Sequence, residues 1–296
     1  PILEIVDFLN ARARENQWGF VDFNRPMVAI NQWEQAEDSM YTLCGKDRIH
    51  PSTDGHLVMA YLFLKAQGLA GKPVADIRID GAGKKVTRSD NCRVSDLSVS
   101  SDNLTFTYEA KSLPYPIDTS YYDNEKHTQA DALSVIPFMD EMNYEGLSVS
   151  GLSDGYYGLT IGGEFIGRFT ARELERGINM ALLQNTPQYK QAMKIRQMNE
   201  ERWLKERKMR EFYWVEYNLM RKTGMLWACN EAAVDTLRKY RPHDIFLQWN
   251  GDLWLQYMHK GIREDCVNEQ QDLVNRIYEQ NKPIPLRIEI KKFTDL

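Results

Sequence analysis

Apolar positions recur with a helical period in the first seventy residues of this chain. They lie three or four positions apart over residues 2–13, which predicts a helix that ends before Gly19. Residues 20–23 are predicted to form a short strand, and further helices are expected over about residues 28–37 and 52–68. Helix alternating with strand is typical of a parallel sheet in an α/β protein.

The period changes to two between residues 71 and 169, where glycine, aspartate and asparagine mark the turns. Three β-hairpins are predicted, with turns at residues 80–83, 100–103 and 162–163. Three hairpins within about a hundred residues indicate a small antiparallel β-sandwich-like domain. Residues 114–130 are polar, rich in tyrosine and without a period, which is typical of a loop.

A helical segment is predicted over residues 170–296. Thr170 and Glu173 form a capping box for a helix through about residue 183, and Thr186 followed by Pro187 begins a second helix. No breaker interrupts that second helix before about residue 222, so it would be roughly 50 Å long. Its charged middle predicts a solvated arm, with a contact between copies of the chain, and hence a homo-oligomer, as the alternative. The remaining elements predicted are helices over about residues 231–240, 243–260 and 264–280, and a strand from residue 283 onward.

Composition narrows the functional classes. The chain has 296 residues, of which 43% are hydrophobic and 27% charged, and its net charge of −5 gives no general attraction to nucleic acid. No apolar run approaches the roughly 18 residues that cross a bilayer, so no membrane span is predicted. The four cysteines have neither the spacing of a zinc site nor that of a disulfide framework: Cys44, Cys92, Cys229 and Cys266.

The strongest candidate chemistry lies in a loop near residue 50. Asp47 precedes His50 by three residues, and Pro51 follows at once, at the start of an apolar-periodic run. Proline suits a first helical turn, and Ser52 or Thr53 is expected to cap it, so this helix start would hold the histidine still. A histidine that acts as general base needs a carboxylate on one ring nitrogen. We therefore expect the Asp47 carboxylate within hydrogen-bond distance of the His50 ring.

The run D-x-x-H-P, followed by a small-residue turn and G-H-x-x-M-A, resembles the last conserved block of the SGNH (GDSL-type) hydrolases. This resemblance implies that residues 1–70 are the C-terminal part of a flavodoxin-like α/β/α domain and that Asp47 and His50 belong to a Ser-His-Asp triad. It also implies no metal, no organic cofactor and a periplasmic or secreted location. Residues 71–169 would then be a β-sandwich-like accessory domain, and residues 170–296 a helical segment ending in a strand.

The nucleophile and oxyanion-hole blocks of that family do not occur in the chain, which also begins without methionine. We therefore interpret it as the C-terminal part of a longer protein, inactive by itself. Two structural consequences are expected. The strand at residues 20–23 should lie beside a vacant sheet edge, and Ile5 and Leu9 should be more exposed than in a core helix.

The function predicted from the resemblance is carboxylic-ester hydrolysis by a serine-dependent enzyme, with an acetylated carbohydrate or a small-molecule ester as the substrate. The rival hypothesis is a non-catalytic carbohydrate-binding or assembly module, in which the D-x-x-H loop is a relic. An intact nucleophile block upstream would favour the enzyme.

Other candidate residues have simpler interpretations. Ser153 lies in G-x-S-x-G, but a hairpin follows it where the nucleophile elbow of α/β-hydrolases needs a helix, so a turn is predicted. His56 is interpreted as a packed, hydrogen-bonded side chain. The other histidines are each isolated in the sequence: His127, His243 and His259. Several tryptophans could stack on sugar rings, although core positions are expected for them: Trp227, Trp249 and Trp254.

Overall fold

The computed structural model describes residues 2–121 and 127–293 of the chain. Its contacts divide the chain into two compact units. The first unit comprises Pro1–Lys190 and Pro283–Leu296, and the second comprises Gln191–Lys282. The three-domain division expected from the sequence, at residues 70 and 169, stays a prediction.

Three helices form the first seventy residues: α1 (Ile2–Asn16), α2 (Asn24–Glu34) and α3 (Thr53–Ala66). The predicted strand at residues 20–23 is wrong, since these residues have no regular structure. Asp22 accepts the backbone N–H of Arg25 at 3.1 Å, so the segment leads directly into α2. The described residues before 70 contain no strand, and the piece of a flavodoxin-like sheet expected there is not found.

The apolar face of α1 is largely exposed. Ile5 is 58% exposed and Leu9 is 49% exposed, whereas Ala13 is the buried residue of this helix. The exposure expected for Ile5 and Leu9 is confirmed. The vacant edge of a neighbouring strand, expected together with it, is not found because the strand itself is absent.

Two β-sheets form the middle of the first unit. The three predicted hairpins are confirmed as the antiparallel pairs β1 with β2, β3 with β4 and β6 with β7. Their bounds, in the same order, are Ala75–Asp80, Lys85–Asp90, Cys92–Val99, Asn103–Ala110, Tyr156–Ile161 and Glu164–Thr170.

The four-stranded sheet contains both parallel and antiparallel pairs of strands. The sequence had predicted antiparallel pairs only. The order of this sheet is β2-β1-β5-β8, where β5 is Glu145–Ser150 and β8 is Ile178–Asn179. Strand β1 pairs with β5 in parallel. The single-turn helix α4 (Phe138–Glu141) precedes β5, in the long connection that two parallel strands require.

The five-stranded sheet has the order β3-β4-β9-β6-β7. Its central strand is β9 (Leu286–Lys292), which pairs with β4 and β6 although it follows the whole second unit in sequence. The sequence correctly predicted a strand near the end of the chain but placed it with the helical segment. One hydrophobic cluster takes side chains from both sheets, among them Ile77, Phe106 and Ile290, so the two sheets pack as layers.

The capping box at Thr170 is confirmed, but the helix it begins is short. Thr170 accepts the backbone N–H of Glu173, and α5 spans only Ala171–Arg176. Gly177, with a φ of +93°, ends it where the sequence predicted helix to about residue 183.

The long helix is confirmed as α6 (Pro187–Val215), which continues into a π-helical turn over Glu216–Met220. Within the second unit, the buried Glu216 carboxylate accepts the indole N–H of Trp254 and the backbone N–H of Trp227, both at 2.8 Å. These two contacts hold the π-helical turn in the core of the unit. The second unit is completed by α7 (Glu231–Tyr240), α8 (Ile245–Tyr257) and α9 (Lys260–Gln280).

Candidate functional site

A closed loop precedes α3 and carries the Asp47–His50 pair. Its two ends meet in an isolated β-bridge between Cys44 and Pro51, and the Gly45 N–H donates to the carbonyl oxygen of His50 at 2.7 Å. Arg48 has a φ of +57°, a left-handed conformation that turns the loop back on itself. The backbone therefore brings residues 47 and 50 to the same side of the loop.

The expected contact between Asp47 and His50 is confirmed. One carboxylate oxygen, Oδ2, lies 2.5 Å from Nδ1 of His50. The other, Oδ1, accepts the backbone N–H of Ile49 at 2.9 Å and that of His50 at 3.1 Å. The carboxylate thus holds both the backbone and the ring of the histidine.

These hydrogen bonds lower the pKa of Asp47 to about 2, and the bond from the His50 side chain is the largest cause. The carboxylate is therefore ionised at neutral pH, and as an acceptor beside Nδ1 it favours the His50 tautomer whose N–H is at Nδ1. The His50 side chain is 83% exposed, so its ring is open to solvent and to an incoming group. A fixed Nδ1–H leaves Nε2 as the nitrogen that can accept a proton.

The first turn of α3 fixes this loop through hydrogen bonds to the backbone of Leu43. Both the backbone N–H and the hydroxyl of Ser52 donate to the Leu43 carbonyl oxygen, each at 3.0 Å. Gly55 approaches so closely that an added Cβ would lie 2.0 Å from the same oxygen. Of the two residues expected to cap the helix, Ser52 occupies the N-cap position but its side chain makes no capping bond. Its hydroxyl is used to fix the loop.

A second aspartate–histidine contact lies beside this turn. Asp54 is 1% exposed, accepts the Ser52 hydroxyl and lies 3.6 Å from Nδ1 of His127. Burial, followed by the charge of Asp54, raises the pKa of neighbouring Tyr41 to about 12, and the Tyr41 ring meets His127 edge to face. His127 is isolated in sequence but not in space. No local spacing could have revealed this contact, which joins positions 73 residues apart.

The structure places some of the remaining candidates as expected and others differently. His56 is exposed on α3, so its interpretation as a packed side chain is wrong. His259 lies 3.3 Å from the Cys229 sulfur. Trp254 is fully buried as expected, whereas Trp249 and Trp227 are exposed.

Ser153 lies in the irregular connection between β5 and β6, and the β6–β7 hairpin follows it as predicted. Its hydroxyl accepts from Nζ of Lys292 at 2.8 Å and is 3.1 Å from the hydroxyl of Tyr157. These partners differ from the histidine and carboxylate of a triad.

Over residues 2–121 and 127–293, no three histidine, cysteine, aspartate or glutamate side chains are grouped closely enough to hold a metal ion. Within the same ranges, no helix has the length and apolar character needed to cross a membrane. Part of the loop predicted at residues 114–130, namely residues 122–126, lies outside the described residues.

Comparison with known proteins gives two matches and one negative result. Residues 193–282 match the family model described as the diltiazem deacetylase C-terminal helical domain. A solved structure, described as BT4096, a gut microbial diltiazem-metabolizing enzyme, is 41% identical in sequence with a TM-score of 0.92. The match covers 99% of this chain and 66% of that chain. The curated proteins contain no significant match.

These findings correct the resemblance inferred from residues 47–60. Neither match points to an SGNH or GDSL domain, and the described residues before 70 lack the strand that such a domain requires. The predicted membership of that family is therefore wrong, and this chain is similar over nearly its whole length to a diltiazem-metabolizing enzyme.

Proposed function

We propose that the protein hydrolyses carboxylic esters and releases an acetyl group from its substrate. The observation that carries this proposal is the 2.5 Å contact between the Asp47 carboxylate and Nδ1 of His50, in a loop fixed by the start of α3. The 41% identity to a diltiazem-metabolizing enzyme and the match to a diltiazem deacetylase domain support the same chemistry. The expectation that the alcohol part of the ester is a carbohydrate depended on the resemblance that has been corrected. The proposal therefore does not specify the alcohol.

His50 acts as general base in the proposed mechanism. Its Nε2 takes the proton from a serine hydroxyl as the serine oxygen attacks the ester carbonyl, and Asp47 stabilises the imidazolium through Nδ1. The imidazolium then gives the proton to the departing alcohol. Water, deprotonated in turn by His50, hydrolyses the acyl-serine and releases acetate.

The serine is assigned to a part of the protein beyond these 296 residues. Two observations motivate this assignment: the chain spans 66% of the length of the solved relative, and Ser153 contacts Lys292 and Tyr157. The 296 residues alone are then expected to be inactive.

The test measures acetate release from diltiazem and from a simple aryl acetate, using the whole protein that contains this chain. His50→Ala is expected to lower kcat by about 10³-fold or more, because the serine loses its base. His56→Ala is the matched control, since His56 is an exposed histidine six residues away, and it should retain activity.

Ser153→Ala separates two locations of the nucleophile. We expect nearly unchanged kcat, because a turn serine loses only a hydrogen bond worth about 1 kcal/mol. Complete loss of activity with a folded Ser153→Ala protein would instead move the nucleophile into this chain. Absence of ester turnover in the folded whole protein would favour the non-catalytic binding or assembly module.

A further inference from the structure

One face of α6 in the second unit carries two guanidinium groups flanked by two indole groups. Trp203, Arg207, Arg210 and Trp214 follow one another at spacings of four, three and four residues, which places them on the same side of the helix. With Glu211 and Asn250 they line an open cavity of about 330 Å³. This volume is within the range of small-ligand sites.

The apolar walls of this cavity are unusually open to water. Trp203 is 46% exposed, and the aromatic surface continues from Trp214 to Phe246 and then to Trp249, with ring centroids 5.2 and 5.4 Å apart. Trp249 is 66% exposed. An exposed aromatic surface of this kind is costly to hydrate, and such surfaces are typical of places where proteins bind other molecules.

The polar groups of the cavity include a guanidinium that lies over an indole ring. The Arg210 guanidinium lies 5.5 Å from the centre of the Trp203 ring. Its carboxylate neighbour Glu206 is 3.9 Å away and makes a shorter contact of 2.8 Å with Arg202. Arg207 differs, since its Nε donates to Glu211 at 2.7 Å. Arg210 is therefore the guanidinium best placed to meet an incoming anion.

We propose that this cavity binds an oligosaccharide that carries carboxylate groups. The apolar C–H face of a sugar ring stacks on an indole, as Trp203 and Trp214 allow, and its hydroxyls pair with Glu211 and Asn250. Arg210 binds the carboxylate with two parallel N–H bonds. A nucleic acid fits less well, because a chain with a net charge of −5 lacks the basic surface that phosphate backbones require.

This site is proposed independently of ester hydrolysis, and its test uses binding as the readout. A tetramer of β-1,4-linked glucuronate and cellotetraose share a linkage, carry no ester and differ in the carboxylate. Titration calorimetry on the whole protein at low salt should show that the affinity for the glucuronate tetramer is at least about tenfold higher than the affinity for cellotetraose.

Variants at the cavity separate stacking from charge. Trp203→Ala should weaken both ligands by about tenfold or more, whereas Arg210→Gln should abolish the preference for the acidic ligand and leave cellotetraose binding unchanged. Matched controls are Trp33→Ala, at an exposed tryptophan of the first unit, and Arg276→Gln, at an exposed arginine of α9. Both controls should bind like the unaltered protein, and acetate release should be unchanged in all four variants.

Three results would overturn the proposal. The first is no heat of binding for either tetramer up to about 10 mM. The second is binding that Trp203→Ala and Arg210→Gln leave intact in folded protein. The third is a dimer, seen by sedimentation, that Trp203→Ala dissociates while neither sugar binds, since this face would then be a contact between two copies of the chain.

Discussion

At the scale of single residues, Asp47 shows how a short loop can orient the ring of a candidate general base, His50. Its carboxylate receives two backbone N–H groups and the His50 ring, and these bonds lower its pKa to about 2. The Asp47 side chain is exposed, so its contact with His50 adds little to the stability of the fold. Its effect is to orient the His50 ring and to place a negative charge beside it. A substitution that keeps the shape but removes the charge isolates that contribution.

Asp47→Asn is expected to lower kcat for acetate release by about 10³-fold or more, because the amide cannot stabilise an imidazolium and favours the wrong tautomer of His50. The measurement is steady-state kinetics on the whole protein. Asp38→Asn is the control, since Asp38 also accepts a nearby backbone N–H, that of Met40 at 2.9 Å, but holds no histidine. Equal activity of the two variants would contradict the assigned role.

Glu145 is a second residue whose ionisation matters, in this case for stability. It is fully buried, and its carboxylate accepts the Tyr108 hydroxyl at 2.8 Å and the Gln188 amide at 3.2 Å. Loss of hydration raises the pKa of Glu145 from 4.5 to about 7, although both hydrogen bonds oppose the shift. The unfolded chain therefore loses this proton at a lower pH than the folded protein does.

Stability should consequently fall as the pH rises from about 4.5 to about 7 and then level off. The contribution of Glu145 to this fall is on the order of 3 kcal/mol. Glu145→Gln keeps the shape and an acceptor for Tyr108 but removes the titration. Urea unfolding at several pH values should show a smaller loss of stability across this window in the variant. Parallel pH profiles for the two proteins would contradict the prediction.

At the scale of elements, the start of α3 determines the position of the loop. Gly55 lets the helix approach the backbone of Leu43, and Ser52 donates twice to the same carbonyl oxygen. The loop and the helix are thus one unit of local structure, and a change in the helix should displace His50.

Gly55→Ala should destabilise the protein by about 2 kcal/mol, because its Cβ would overlap the Leu43 carbonyl oxygen and outweigh the gain in helix propensity. Acetate release should fall as well. Gly261→Ala is the matched control, since nothing lies within 4 Å of an added Cβ at that helical glycine. Chemical denaturation checks the pair, and equal stability of the two variants would rule out the close approach.

At the scale of the whole molecule, the end of the chain completes the first unit. Strand β9 is the centre of the five-stranded sheet, and Ile288 and Ile290 are fully buried in its core. The five-stranded sheet is therefore completed by a strand that follows the whole second unit in sequence. Contacts so distant along the chain make this sheet depend on the last strand.

Removing residues 283–296 should abolish cooperative unfolding of the first unit or lower its Tm by more than about 10 °C, because β4 and β6 would each lose one of their two partner strands. Removing only residues 294–296 is the control and should leave the Tm nearly unchanged. Circular dichroism and calorimetry measure both. An unchanged Tm in the longer deletion would show that the sheet does not need β9.

The sequence alone was sufficient where the interactions are local. The turn residues of the three hairpins, the capping box at Thr170, the start of α6 at Pro187 and the contact between Asp47 and His50 all depend on neighbours within a few positions. The same locality explains the errors. Residues 20–23 have the composition of a strand but no partner, and the D-x-x-H-P run suggested a family that the whole chain does not support.

Only the tertiary structure decided the rest. The parallel pairing of β1 with β5, the position of β9, the contact of Asp54 with His127 and the exposure of Trp249 each depend on segments far apart in sequence. Burial and strand pairing arise from the packing of the whole chain, whereas a local pattern constrains only the few dihedral angles beside it. For that reason the sequence predicted the candidate catalytic pair, and the structure was needed to locate the aromatic cavity on α6.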